Sequence, residues 1–253
     1  GLGGHVVPFR RLARSLDARF ACIGLAHPNL CGVATRFATV EDLAAAHREW
    51  VWEDRDARHV FFGYSIGGAV AFELASQFSR MGRRAGAVLF DSFVASLNAP
   101  RVPGLFQARR WAKTGLERLG DLRRPAPMSG FEIARRDSTA ALRRYRPGRG
   151  AVPVILIRPE VEVRRDLRYF RYSHDLGWGR VARLLSVERC AGDHFTACRE
   201  PHIGSLAAAL DRSLHALCAA LDALPADPAP PGAAHRQPGA GAGAALSDAP
   251  RSP

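Results

Sequence analysis

The sequence GYSIGG at residues 63–68 constrains the fold more than any other part of this chain. An apolar run at His59–Phe62 comes directly before it, and a helical pattern over Ala69–Arg80 follows. A serine between glycines at such a junction is typical of a sharp turn from a strand into a helix, because glycines lack the Cβ atoms that would collide there. The sequence therefore predicts a strand, a tight turn at Ser65 and a helix that follows it.

Short apolar runs alternate with helical patterns along the rest of the chain, which is typical of a mostly parallel central sheet flanked by helices. Thr39 and Asp42 form a capping box that predicts the start of one helix, and a last helix is expected over Gly204–Leu224. The predicted class is α/β, with a single domain over residues 1–224. Further strands are predicted at Phe20–Leu25, Ala85–Phe90, Val152–Arg158 and Leu184–Arg189.

A long insertion interrupts the alternation. About 60 residues without a strand pattern separate Phe90 from Val152. We predict that residues 95–150 form a helical lid over a site, the alternative being a helical crossover packed into the core. Two stretches of the insertion place apolar residues on one helical face: Leu105, Ala108, Ala112, Leu116 and Leu119, and then Phe131, Ala134, Ala141, Leu142 and Tyr145.

The C-terminal segment has almost nothing to bury. Of the 29 residues in Pro225–Pro253, 20 are proline, glycine or alanine. Such a composition cannot offset the entropy lost when a chain becomes ordered. We therefore predict that residues 225–253 are a disordered tail.

The net charge of +12 raises the question of nucleic-acid binding. Of the 36 basic residues only Lys113 is a lysine, and the arginines are scattered without the interleaved aromatic residues that a stacking platform needs. A solvated basic surface is therefore favoured over a nucleic-acid site. Such a surface could still steer an acidic protein partner towards the domain.

Several features bear on where the chain acts. No apolar run approaches the ~20 residues needed to cross a bilayer, and no secretory signal pattern is present. The five cysteines include no C-x-x-C pair, which argues against a disulfide framework or a zinc site. We expect a cytoplasmic domain that contacts no membrane and binds no metal. Because the sequence starts at Gly1 without a methionine, we interpret it as a segment of a longer polypeptide.

The turn at Ser65 also predicts chemistry. It would expose the serine hydroxyl and place the Ile66 N–H at a helix N-terminus, where a developing oxyanion is stabilised. Gly63 and Gly67, which have no side chains, would leave space for the turn to close. The alternative, a glycine-rich turn with an incidental serine, is disfavoured by the strand and helix on either side.

A serine hydroxyl needs a base, and the base needs an acid. His194 is the candidate base because it follows the late strand Leu184–Arg189, and loops at the carboxyl ends of parallel strands meet at one edge of the sheet. Two acids end strands in the same way: Asp91 follows Phe90 directly, and Glu160 follows the next strand. Their positions alone leave both open.

A second oxyanion donor is expected from the loop after an early strand. The glycine-rich Gly1–His5 precedes a helical pattern at Val7–Leu16 and fits that place, so the N–H of Leu2 or Gly3 is the candidate. The same loop could be interpreted as a phosphate cradle. It lacks the lysine and the spacing of a P-loop, which disfavours that alternative.

Four motifs occur along the chain: GGHVVPFRRLA at 3–13, GYSIGGAVAFELA at 63–75, LFDS at 89–92 and GDHF at 192–195. Together they resemble the thioesterase domains that end non-ribosomal peptide and polyketide synthases. The resemblance covers about residues 1–223, and the motifs have the order and spacing of that family. It implies an α/β-hydrolase fold with a helical lid, and it places the acid at Asp91 rather than Glu160.

The resemblance also implies a function in secondary metabolite biosynthesis. Such a domain releases an acyl or peptidyl chain from the phosphopantetheine arm of an acyl or peptidyl carrier protein, which is expected upstream in the same polypeptide. It needs no cofactor of its own, and release occurs by hydrolysis or cyclisation. The alternatives are a carboxylesterase or lipase acting on free esters, and a catalytically idle hydrolase fold that serves as a binding module.

Overall fold

The computed structural model of the protein describes residues 4–32, 36–51, 57–97, 129–162 and 172–224. Four strands form one parallel sheet in chain order. They are β1 (His59–Tyr64), β2 (Ala85–Phe90), β3 (Pro153–Val161) and β4 (Arg183–Asp193). The helices in these residues are α1 (Arg10–Arg14), α2 (Val40–Arg48), α3 (Ile66–Arg80), α4 (Gly130–Arg144) and α5 (Ile203–Asp222), with 3-10 turns at Val7–Phe9, Pro28–Cys31 and Trp178–Arg180.

The two central strands form the core of the sheet. Every residue of β2 is buried, and so is β3 from Pro153 to Pro159. Because neighbouring side chains on a strand point to opposite faces, Leu89 packs on the side of α2 and α3, whereas Phe90 and Ile157 pack on the side of α1 and α5. Continuous apolar runs are typical of a parallel sheet covered on both faces. The predicted α/β class is confirmed.

The prediction of a strand at Phe20–Leu25 is wrong. In the described residues this segment takes no part in a ladder, and Ile23 at its centre is 68% exposed. A strand needs a hydrogen-bonded neighbour, and a short apolar run does not specify one. The sheet of the described residues therefore begins at β1.

The other predicted strands are confirmed, and three continue further than predicted. β1 extends to Tyr64, β4 to Asp193, and β3 to Val161. The sequence predicts that this strand ends at Arg158, but β3 continues through Pro159. Beyond Ile157, β3 pairs with β4 only, so the N–H that proline lacks leaves no gap in a ladder with β2.

In the described residues, the insertion contributes helix α4. It coincides with the second amphipathic stretch and begins at a capping box of Ser129 and Glu132. Its buried Asp137 accepts hydrogen bonds from the Arg36 guanidinium and from the N–H of Phe37, which hold the helix on the domain. The first predicted helix of the insertion and the tail lie outside the described residues, so the lid stays a prediction.

A buried histidine on α2 makes stability depend on pH. Burial lowers the pKa of His47 to about 4, with a further contribution from the neighbouring His27, and the side chain is 7% exposed. Burial also lowers the pKa of His27, although Asp137 opposes that shift. Since an unfolded histidine titrates near 6.5, the unfolded chain binds a proton at His47 between about pH 6.5 and 4 that the folded chain does not.

We expect this histidine to weaken the fold as the pH falls. The free energy of unfolding should decrease from about pH 6.5 to about pH 4, by up to ~3 kcal/mol from His47. Urea denaturation at several pH values measures the decrease, and His47→Gln should make it smaller. The exposed His174→Gln is the matched control and should keep the wild-type slope. An unchanged slope in His47→Gln would contradict the expectation.

Candidate active site

Ser65 lies in the turn between β1 and α3 with a backbone that only a constrained turn maintains. Its φ of 57° and ψ of −123° are unfavourable for a residue with a side chain. The Ser65 N–H donates to the Phe90 carbonyl at 2.9 Å, and its carbonyl accepts from the Gly68 N–H at 3.0 Å. The first bond ties the turn to the end of β2, and the second closes the turn itself. Ile66 begins α3, so its N–H is among those that no carbonyl within the helix accepts.

Two glycines allow the turn to close. A Cβ on Gly63 would lie 2.2 Å from the Gly67 carbonyl oxygen, and a Cβ on Gly68 would lie 2.4 Å from the Ser92 side chain. Neither contact is possible without moving the backbone or the residue after Asp91. Gly63 is one of the two glycines that the sequence predicts, and Gly67 stays a prediction. Sequence analysis missed Gly68, because its constraint comes from a loop that is distant in the chain.

Asp91 follows β2 and is held in place from both sides. It is 3% exposed, has a φ of 44°, and its N–H donates to the Ile157 carbonyl at 2.9 Å. The following loop is braced by the indole N–H of Trp178, which donates to the Ser92 carbonyl at 2.9 Å, and by the Val94 N–H, which donates to the Leu176 carbonyl at 3.0 Å. The backbone that carries the Asp91 carboxyl group is therefore held in place on both sides.

His194 is the first residue after β4, and it meets this carboxyl group. The His194 Nδ1 lies 2.6 Å from Asp91 Oδ2, a distance typical of a hydrogen bond to a charged group. With the Nδ1 proton facing the carboxylate, Nε2 is left as the proton acceptor. The imidazole is 19% exposed, so it can be reached by a substrate while most of it is packed.

The loop that carries His194 is shaped by the preceding aspartate. Asp193 Oδ1 accepts hydrogen bonds from the N–H groups of Phe195 at 2.7 Å and Thr196 at 2.9 Å, and Thr196 Oγ1 accepts from the Asp193 N–H at 3.0 Å. The bond from Phe195 is the main cause of the lowered pKa of Asp193. Asp193 thus stabilises the turn that presents the histidine.

Glu160 lies on the exposed end of β3 and makes no hydrogen bond or ion pair to a histidine in the described part of the chain. The structure therefore brings Asp91, and not Glu160, to the imidazole. Leu2 and Gly3 lie outside the described residues. Their loop is described from Gly4, whose carbonyl accepts from the His27 N–H at 3.0 Å.

Two cysteines lie close to this site without competing as nucleophiles. Burial raises the pKa of Cys190 to about 12 and that of Cys198 to about 11. A thiol reacts as its thiolate, so both groups are inert near neutral pH. Among the described residues no cluster of histidine, cysteine, aspartate and glutamate could hold a metal ion, and no helix is both long and apolar enough to cross a membrane.

The arrangement contains groups that nucleophilic acyl transfer requires. It contains a serine on a strained turn, a helix N-terminus beside it, and an imidazole hydrogen-bonded to a buried carboxylate. Trp178 is a part of the site that sequence analysis missed. Its contact with Ser92 joins residues 86 positions apart, and no local pattern signals such a contact.

Comparison with known proteins gives a family match and structural matches. The family model described as "Thioesterase domain" matches residues 1–214. One matched structure is the NocB thioesterase domain from the nocardicin cluster, solved as a covalent complex with a fluorophosphonate nocardicin G analog. It is 25% identical to this chain, with a TM-score of 0.59, and the match covers 84% of this chain and 91% of that chain. None of the curated proteins matches the chain significantly.

Two further solved structures share the fold. The RedJ thioesterase from the prodiginine biosynthetic pathway in Streptomyces coelicolor is 22% identical, with a TM-score of 0.57 and coverage of 83% of this chain and 86% of that one. The four-domain nonribosomal peptide synthetase AB3403 is 18% identical, with a TM-score of 0.60 and coverage of 84% of this chain and 19% of that one. These likenesses, together with the parallel sheet, confirm the α/β-hydrolase fold predicted from the sequence.

Proposed function

Because the chain belongs to the thioesterase domain family, we propose that it releases an acyl or peptidyl chain from the phosphopantetheine thioester of a carrier protein through an acyl-serine intermediate. Ser65 is the nucleophile, His194 the general base and Asp91 the acid that orients it. The observation that carries this proposal is the 2.6 Å contact between His194 Nδ1 and the buried Asp91 carboxylate. The strained turn at Ser65 supports it.

The first step forms the acyl-enzyme. Ser65 Oγ attacks the thioester carbonyl carbon while His194 Nε2 takes its proton, and Asp91 stabilises the imidazolium that results. The tetrahedral oxyanion is stabilised by the Ile66 N–H and by the proposed second donor, the Leu2 N–H. A donor of this kind is worth about 10²–10³ in turnover. The C–S bond then breaks, and the proton on Nε2 goes to the leaving pantetheine sulfur.

The second step frees the chain. Water, or a nucleophile within the acyl chain itself, attacks the ester carbonyl while His194 again accepts the proton. Ser65 leaves as the alcohol when Nε2 returns the proton to it. Hydrolysis and cyclisation therefore use the same residues and differ only in which nucleophile reaches the carbonyl. The domain supplies no cofactor of its own to either route.

The carrier-bound substrate is proposed from three observations. The motifs resemble the terminal domains of synthases, and one matched structure is named as a nonribosomal peptide synthetase. The net charge of +12 would favour the approach of an acidic partner. We place the carrier protein upstream in the same polypeptide, where a tether would raise its effective concentration at the site.

Comparing the turnover of three substrates that share one acyl group but differ in the leaving group tests this proposal. The three substrates are the thioester of a carrier protein, the N-acetylcysteamine thioester and the ethyl ester. We expect kcat/KM to fall in that order, by about tenfold or more at each step, because the partner surface and the thiol leaving group are lost in turn. Ser65→Ala gives the background rate. Faster turnover of the ethyl ester would instead indicate a carboxylesterase.

A further inference from the structure

Tyr64 occupies a position that connects all three proposed catalytic residues. It ends β1, directly before Ser65, and the sheet register pairs it with Phe90, directly before Asp91. Its ring also reaches His194, which follows the end of β4. Tyr64 and Phe90, which precede the proposed nucleophile and acid, are therefore paired across the sheet. The ring of the proposed base, His194, lies against Tyr64.

Three aromatic rings form an aromatic row, Phe90–Tyr64–His194. The Tyr64 ring stacks on the His194 imidazole, with centroids 4.8 Å apart and planes at 28°. It also stacks on the Phe90 ring, with centroids 5.5 Å apart and planes at 18°. Near-parallel aromatic contacts of this kind favour one ring orientation over others.

The hydroxyl group of Tyr64 adds a second contact to the same residue. It donates a hydrogen bond to the backbone carbonyl of His194 at 2.5 Å. Burial raises the pKa of Tyr64 well above its usual value, so the hydroxyl keeps its proton and remains a donor. Tyr64 therefore holds both the backbone and the ring of His194.

The Asp91 contact alone does not fix the imidazole. A single hydrogen bond at Nδ1 leaves the ring free to turn about that bond, and such a rotation would swing Nε2 away from the serine. The stack on Tyr64 restricts the plane of the ring, and the hydroxyl restricts the backbone from which the ring extends. The catalytic geometry needs both restrictions, because a displacement of about 1 Å can cost about 10²-fold in rate.

We propose that Tyr64 is a positioning residue that aligns the His194 imidazole with Ser65. The proposal rests on the proposed function. It assigns to the residue before the serine a task distinct from shaping the turn, since the contacts involve the far end of its side chain. Tyr64 itself takes up and releases no proton in either step, and it acts only through His194.

Labelling with a fluorophosphonate tests the proposal without knowledge of the natural substrate. In this reaction Ser65 Oγ forms a bond to phosphorus, fluoride leaves and His194 takes the serine proton. Tyr64→Leu removes the ring and the hydroxyl, and should lower the maximal labelling rate by about 10²-fold, while the probe concentration for half-maximal rate changes by less than about twofold. Tyr64→Phe keeps the ring and should lose only about 3- to 10-fold.

Phe62→Leu is the matched control. Phe62 lies on the same strand and in the same apolar cluster, where it contacts Phe9. Its replacement should cost stability but leave the labelling rate within about twofold of the wild type. The 2.6 Å contact predicts a low-field proton resonance for His194 Nδ1–H. As a second readout, this resonance should broaden in Tyr64→Leu and persist in Phe62→Leu.

The outcomes separate the two proposals. If the wild type is not labelled at Ser65, the proposed function fails. If Ser65 is labelled and Tyr64→Leu reacts at the wild-type rate, the function stands and the positioning role of Tyr64 is wrong. Should Tyr64→Leu fail to fold, Tyr64→Phe decides: a rate equal to the wild type would overturn the role of the hydroxyl, and with it the proposal.

Discussion

Replacing Ser65 with alanine is expected to lower turnover of a carrier-bound thioester by up to ~10⁶-fold. Alanine keeps the Cβ atom and so leaves the strained turn at φ 57° unchanged, but it removes the oxygen that forms the acyl-enzyme. What remains is the small acceleration that binding and the oxyanion donors provide to attack by water. Steady-state kinetics on purified carrier substrate measure the loss.

An exposed serine on α3, the helix that follows Ser65, provides the control for this variant. Ser79 lies at the far end of α3, so Ser79→Ala should retain wild-type turnover. Both variants should melt close to the wild type, which separates loss of chemistry from loss of fold. Residual turnover of Ser65→Ala within tenfold of the wild type would contradict the assignment of the nucleophile.

Replacing Asp91 with asparagine has the second largest expected effect, a loss on the order of 10⁴ in turnover. The amide keeps the shape of the carboxyl group, and asparagine tolerates the positive φ of 44° at this position, so the fold should persist. An amide N–H facing His194 favours the tautomer with its proton on Nε2, which cannot accept the serine proton. The measurement is kcat on folded protein.

Glu160→Gln is the matched control for Asp91→Asn, because it makes the same change at the alternative acid. Because Glu160 is exposed at the end of β3 and does not pair with a histidine in the described residues, its amide should cost less than ~10-fold. A severe defect in Glu160→Gln together with normal turnover in Asp91→Asn would move the acid to Glu160. It would also weaken the comparison with synthase-type domains.

The sequence predicts the centre of the sheet well because its signal there is local. A strand such as β2, with every residue buried, appears as a continuous apolar run. The same kind of run misled at Phe20–Leu25, since apolar character does not say whether a partner strand is available. The strands extend beyond their apolar runs where polar residues or a proline continue the pairing, as at Pro159.

The candidate site likewise combines features that the sequence predicts with features that it does not. Ser65 was predictable because the turn, the strand and the helix are adjacent in the chain. The meeting of Asp91 and His194 follows from parallel topology, which aligns the carboxyl ends of the strands. The contacts of Tyr64 and Trp178 depend on how loops fold back across the sheet, and no spacing in the sequence encodes them. The donor at Leu2 remains a prediction.

The mass of the intact protein after incubation with an acyl-loaded carrier protein tests the central claim most directly. We predict an increase equal to the acyl group, located by peptide mapping on the fragment that contains Ser65, and absent in Ser65→Ala. Asp91→Asn should acquire the same adduct far more slowly. An adduct on another residue, or turnover of the carrier substrate without any adduct in rapidly quenched samples, would contradict the acyl-serine mechanism.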